Sequence, residues 1–262
     1  MKIIADLHTH TIKSHTGMST LLENIEVAKK NNISMLAVTD YGPKAKQSKE
    51  ELFKYLKNIP RSVAGVTILK GVEADVMDIH SGLLDIDETE SDKFDWVIAA
   101  YHKISDYDEK ILSYKVLTNM FERIIENPSV NTIAHMERYA CGFDIQKIIS
   151  LMKENGKVVE IGVQSFLKDD TSFENKQIKN LVFACKELAS PICVVSNAHI
   201  AEQINGICSV ESFLNEIQYP EELIINSSEE LLNDYLEKFK KLKKAKIERR
   251  NAGFRMGYAI RQ

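Results

Sequence analysis

Lys2-Ile3-Ile4-Ala5-Asp6-Leu7-His8-Thr9-His10 is the stretch on which the reading of the fold turns. Lys2–Asp6 reads as a short apolar strand. In a strand, side chains two apart share a face. Asp6, His8 and His10 are therefore expected on one face, and Leu7 and Thr9 on the other. Two imidazoles on one face with a carboxylate behind them make half of a metal site. Whether the other half exists depends on what stands at the other strand ends.

Six further apolar, β-rich runs follow: Met35–Asp40, Val66–Val76, Phe94–His102, Val130–His135, Lys157–Ile161 and Ile192–Asn197. Helical patterns separate most of them. Thr20-Leu21-Leu22-Glu23 is a capping box, with Ile25 and Ala28 continuing the apolar stripe. Ser48 to Glu51 opens a second helix that must stop before Pro60. Asp106 to Asn127 reads as a long helical region. Asp144 caps Ile145–Asn155, and Gly156 stops it. Phe173–Ala189 and Val210–Gln218 are further helices, and Ser227 to Glu230 caps the last long one.

Strand and helix in alternation argue for the α/β class with a parallel sheet buried on both faces. Candidate ligands decide between an open sheet and a barrel. His8, His10 and His15 follow the first strand, Tyr41 the second and Glu73 the third. His102 follows the fourth, His135 the fifth, and Asn197 and His199 the seventh. Six of the seven histidines fall at these places and only His80 lies elsewhere. A ring of strands brings so many C-terminal ends together, whereas an open sheet uses a switch point between a few. The expected fold is a distorted (β/α)7 TIM-like barrel with its metal site at the C-terminal ends of the strands. No linker, repeat or low-complexity tract divides residues 1–262, so one domain is expected.

Imidazole and carboxylate together suit zinc, manganese or iron. A glutamate can bridge two cations through its two oxygens, and Glu73 is placed to do so. Bridged cations clamp a phosphoryl group and activate water. Lys103 and Arg138 follow ligand positions at the mouth, where each can hold a phosphate or simply face solvent. Asp40 can support a ligand or cap a helix; Asp75, Gln164 and Tyr101 read as structural.

These motifs resemble the PHP family, named for polymerase and histidinol phosphatase domains. The resemblance rests on Asp6 to His10, Thr39-Asp40-Tyr41-Gly42, Gly71 to Ala74, the strand-end His102 and His135, and the final His199. It extends to Ile68–Ala74, Val159–Ile161 and Ser165-Phe166, which look closest to stand-alone bacterial phosphatases with a trinuclear site. The resemblance implies a distorted seven-stranded barrel and metal-dependent phosphoester hydrolysis. It implies that His8, His10 and Glu73 hold a first cation and Glu73, His102 and His135 a second. His199 would belong to a third, with Asp6 orienting a ligand from behind. Three positions depart from the family pattern. Tyr41 replaces a histidine, Asn197 replaces an aspartate, and His15 is one place out of step. A phenol binds well only as phenolate, which suits ferric iron, and an amide carries no charge. One or two tightly held cations, with the third weak or absent, are expected.

The chain carries a net charge of −4, with acidic and basic residues mostly interspersed. Cys141, Cys185, Cys193 and Cys208 show no CxxC spacing, so a reducing, cytoplasmic setting is expected. No run approaches the roughly 20 apolar residues of a membrane span. Lys238–Arg250 holds eight basic residues against Glu248 alone, while Tyr235, Leu236, Phe239, Leu242 and Ala245 keep helical spacing. This reads as an amphipathic basic helix over about 228–250 with a wet face and a short tail. Nucleic acid and membrane are not expected partners; a small phosphorylated substrate is. Two other readings stay open: a degenerate member that binds metal for a regulatory purpose, and a metal-dependent hydrolase of a bond other than a phosphoester.

Overall fold

The computed structural model describes residues 1–43, 49–102 and 112–259. Seven parallel strands curl round a common axis: β1 (Ala5–Thr9), β2 (Met35–Val38), β4 (Val66–Asp78), β6 (Trp96–Ala100), β7 (Thr132–Ile133), β8 (Val159–Gly162) and β9 (Ile192–Val195). The first five form a continuous ladder in the order β1-β2-β4-β6-β7, and β8 and β9 form a separate parallel pair. Two seams join them. At one, Val158 N–H donates to the Asn131 carbonyl and Thr132 Oγ1 to the Val158 carbonyl. At the other, Thr9 bridges Ala198 in parallel and His10 N–H donates to the Ala198 carbonyl at 2.8 Å. Asn226 reinforces that seam, with Nδ2 donating to the carbonyls of both Ala5 and Val194. The seven-stranded barrel expected from the ligand positions is the fold found.

Each parallel strand lies within or beside its expected run. The short β3 (Ser62–Val63) and β5 (Leu83–Leu84), which pair antiparallel with β4, are additions. They are too brief to carry a periodicity of their own.

The first strand departs in a way that matters. It runs on through His8 to Thr9 rather than ending at Asp6. Its register against β2 slips, pairing Asp6 with Leu36 but Thr9 with Val38. Three steps on β1 thus match two on β2, which is a β-bulge. Strict alternation fails there. Leu7 packs inside the barrel with Ala5, Leu69 and Ile98, although His8 also turns inward. Asp6 and Leu7 therefore do not keep the faces that alternation assigned to them.

The helices are α1 (Leu21–Lys30), α2 (Lys49–Asn58), α3 (Tyr114–Glu126), α4 (Ile145–Glu154), α5 (Val163–Phe166), α6 (Phe173–Glu187), α7 (Ile207–Glu216) and α8 (Glu229–Ala259). The capping box on α1 forms as read, with Thr20 Oγ1 accepting from Glu23 N–H. Asp144 caps α4, and Gly156 follows its end at φ +69, the left-handed value for which glycine is suited. Ser228, one place after the expected Ser227, caps α8 by accepting from Leu231 N–H. The helix also runs beyond about 250, to Ala259. The proposed cap at Ser48 and the segment around Asp106 lie outside the described residues.

Two apolar cores result. The larger lies between the sheet and the helices that cover it. The smaller fills the barrel axis with Leu7, Met35, Leu69, Trp96, Ile98 and Val195. Leu232, Tyr235 and Leu236 of α8 pack into that second core. The last helix therefore plugs the N-terminal end of the barrel and leaves the C-terminal end for the polar cluster.

Candidate metal centre

Glu73 stands at the middle of the C-terminal end of the barrel. Its register partner on β6 is Ile98, an axis residue, so the carboxylate projects into the barrel. Glu73 is 1 % exposed. Oε2 lies 3.2 Å from His10 Nε2 and 3.5 Å from His8 Nε2. Oε1 lies 3.5 Å from both His102 Nε2 and His135 Nε2. One oxygen thus faces His8 of β1 and His10 just after it, and the other faces histidines that follow β6 and β7. His135 stands two residues past the end of β7, with its backbone left-handed at φ +60.

A second ring of polar groups sets the imidazoles. His8 Nδ1 meets the Glu160 carboxylate at 3.1 and 3.2 Å. An ionised carboxylate only accepts, so Nδ1 carries the proton and Nε2 presents a lone pair. His10 Nδ1 lies 2.9 Å from Ser14 Oγ, whose own proton goes to Asp40 Oδ1 at 2.7 Å. Ser14 must then accept from Nδ1–H, which again frees Nε2. His102 Nδ1 faces Asp75 Oδ1 at 3.6 Å, and His199 Nδ1 lies 2.9 Å from Thr16 Oγ1. Asp6 accepts from Ser196 N–H, Ser196 Oγ and His8 N–H. It ties the two seam strands together and fixes the His8 backbone rather than a ligand ring.

Burial and charge compete throughout. Burial opposes ionisation of Glu73, but His8 and its neighbours outweigh it and hold the carboxyl well below its usual range. Burial works against His8 protonation, yet without a cation Glu160 and Glu73 overcome it and lift His8 to about 10, so a cation at Nε2 would have to displace a proton held there. His199 is pushed down to about 4 by burial and by His10. Burial, then the Glu73 charge, raises the Tyr41 phenol. The phenol form is thereby favoured, which opposes the phenolate that iron ligation by Tyr41 needs.

The donor set fits a cation. His8 Nε2, His10 Nε2 and both Glu73 oxygens are buried without a hydrogen-bond partner. An orphaned buried polar atom costs about 1–3 kcal/mol, and four facing one another are not left so without a reason. Donors bound at about 2.1 Å to one tetrahedral ion lie about 3.4 Å apart. The observed separations of 3.2–3.5 Å match that value. Donor atoms of His8, Glu73 and His135 also lie within 4.8 Å of one another.

The other residues singled out from the sequence fall around this core. His199 stacks on His10 with centroids 4.4 Å apart. Tyr41 lies 4.6 Å from His10 and 5.2 Å from His102, ring to ring. Asn197 is buried, left-handed at φ +50, and its Oδ1 has no partner. His15 is exposed and rests on Tyr41 at 5.0 Å. Arg138 is 42 % exposed, and its charge acts on both Tyr41 and His135. Lys103 lies outside the described residues. Glu160, Ser14 and Asp75 carry parts that the sequence reading did not give them. Glu160 had a signal: a carboxylate in the middle of an apolar strand seldom lies buried without a partner. Ser14 had none, because its role depends on how the loop after β1 folds back.

Fold and site together define a seven-stranded (β/α) barrel with a buried histidine–carboxylate cluster at its C-terminal end. The chain belongs to the PHP domain family, whose sequence profile matches residues 6–164. It is similar to a protein of Acetivibrio thermocellus named "Probable phosphatase", at 35 % identity over 95 % of this chain and all of that one. Among solved structures it resembles a histidinol phosphate phosphatase from Lactococcus lactis complexed with zinc, L-histidinol and phosphate. That likeness has a TM-score of 0.53 at 14 % identity, over 82 % of this chain and 94 % of the other. A chain in the structure of an archaeal ribonuclease P with mature tRNA is similar at TM-score 0.58 and 13 % identity, over 91 % and 92 %. Two such different settings for one architecture mean that the fold by itself does not assign an activity.

Proposed function

We propose that the protein is a metal-dependent phosphoesterase that hydrolyses a small phosphomonoester. The observation that carries this reading is the division of Glu73, one oxygen toward His8 and His10 and the other toward His102 and His135. His8, His10, His102 and His135 with Glu73 would hold one or two divalent cations there. Zinc, manganese and iron all accept such donors. Bound there, they would supply Lewis acidity, neutralising phosphoryl charge and making water nucleophilic at neutral pH. The protein's own share is positional. Glu160 and Ser14 keep the Nε2 lone pairs of His8 and His10 turned toward Glu73. The Arg138 guanidinium, half-exposed and 3.9 Å from the Glu137 carboxylate, would bind phosphate oxygens and keep the ester in register. The phosphatase name of the Acetivibrio relative supports the same substrate class. A neutral phenol at Tyr41 and a neutral amide at Asn197 favour one or two tightly held cations over three.

The test compares wild type with Glu73→Gln. Wild type is expected to retain zinc, manganese or iron through purification, or to take it up, and to hydrolyse p-nitrophenyl phosphate. The variant should keep its far-UV circular dichroism but lose both properties. A wild type that binds none of these metals and stays inactive with each added would defeat the proposal. Metal binding without hydrolysis of any phosphomonoester would favour the regulatory reading instead.

A further inference from the structure

At the opposite end of the barrel, beneath α8, lies a cavity of about 690 Å³. Leu69 on its wall precedes Glu73 by four residues on the same strand. At about 3.3 Å per residue the two sites are about 13 Å apart along β4. The cavity belongs to no part of the metal centre.

Its wall is apolar where the barrel meets the helix, with Phe94 and Val97 on one side and Leu236, Phe239 and Ile247 on the other. Its volume falls in the range of small-molecule sites. Two features say what kind of molecule fits. The first is an unmatched donor. Asn131, on the cavity wall, is 1 % exposed; its Oδ1 accepts from Val97 N–H, while Nδ2 has no partner. The amide Nδ2 is a hydrogen-bond donor, so it calls for an acceptor.

The second feature is charge. Lys240, Lys243 and Lys244 line the helix side, and Asp92, Asp95 and Glu248 also reach the wall. The acids are engaged. Asp92 pairs with Lys243 at 2.7 Å, Asp95 with Arg61, and Glu248 with Lys244 at 3.9 Å. Among the described residues Lys240 has no ion-pair partner. The site thus offers an apolar body, an unmatched amide donor and one uncompensated cation.

We propose that this cavity binds an organic anion with an apolar body, its acid group held by Lys240 and an acceptor atom by Asn131 Nδ2. Anilinonaphthalene sulfonate is a probe of that chemistry, read by its fluorescence on titration into the full-length protein. A single saturable site is expected. Lys240→Glu should weaken it by about tenfold, because a charge-assisted contact becomes a repulsion. Lys241→Glu is the control. It makes the same charge change on an exposed residue of the same helix that does not line the cavity. Its affinity should stay at the wild-type value. Uncharged N-phenylnaphthylamine should bind about tenfold more weakly than the sulfonate. Circular dichroism would establish that each variant is folded. The proposal is overturned if wild type shows no saturable binding, if the two lysine variants weaken binding equally, or if the uncharged probe binds as well as the sulfonate.

Discussion

A carboxylate that is buried and yet ionised needs compensation from its neighbours, and at Glu73 the His8 charge leads it, with His10 and His135 beside it. Their orientation is set by groups further out, so the centre is sensitive to residues that touch no cation. Glu160 is the sharpest case. Its carboxylate keeps the His8 proton on Nδ1. Glu160→Gln preserves shape but removes the charge, so His8 becomes a weaker and less firmly oriented donor. Metal affinity, measured by competition with a chromophoric chelator, should fall about 10- to 100-fold with the fold intact. Affinity equal to wild type would show that the contact is packing alone. On the proposed reading Arg138 would act on substrate rather than on metal. Arg138→Met should raise KM for p-nitrophenyl phosphate about 10- to 100-fold, the worth of charge-assisted hydrogen bonds, and leave bound metal unchanged. A fall in kcat with KM constant would place Arg138 elsewhere in the reaction.

Elements were legible in the sequence where a pattern repeats and obscure where one residue breaks it. The seven runs appear as strands because each is apolar on both faces, and the capping signals at Thr20 and Asp144 work locally, as caps must. Ring closure could be inferred because ligands follow six of the runs. The bulge in β1 could not, since an extra residue in a strand leaves no mark on composition or spacing. Ser14, and the partner of Glu160, were missed for a related reason: they act through a folded loop or across the barrel, at sequence distances that no periodicity spans. Lys157 shows a buried charge of the same hidden kind. It precedes β8, is fully buried, and donates Nζ–H to the carbonyls of Asn127 and Val130 just past the end of α3. Burial holds its pKa well below 10.5. In the window between that lowered value and the unfolded one, the unfolded chain binds a proton that the folded chain lacks. Stability contributed at this site therefore rises with pH through the window, and the penalty is complete below it. Melting temperatures of wild type and Lys157→Met, compared between about pH 7 and 10, should show wild type gaining on the variant as pH rises. A gap independent of pH would mean that Lys157 titrates alike in both states.

At the scale of the whole molecule, the barrel is a ring with two weak seams. The ladder is continuous from β1 to β7, but β8 joins β7, and β9 joins β1, through a few hydrogen bonds rather than full pairing. The helical layer outside and the α8 plug below hold the ring from two directions. Its C-terminal end is spanned by the polar cluster, whose members come from β1, β4 and the turns after β6 and β7. A cation bound there would link strands far apart in sequence and would find no such site in the unfolded chain. Ligands of that kind stabilise by mass action, by about 2.7 kcal/mol at a hundredfold excess over Kd. For a chain of this size each kcal/mol moves Tm by about 2–4 °C, so saturating zinc or manganese should raise Tm by about 5–10 °C. Chelation should return the melting curve to its starting point, and Glu73→Gln should show no shift at all. A shift of the same size in Glu73→Gln would place the stabilising cation somewhere other than the centre of the ring. Hydrogen exchange separates the two cases further: with the cation at Glu73, added protection should concentrate in β1, β4 and β6, the elements that the shared carboxylate draws together.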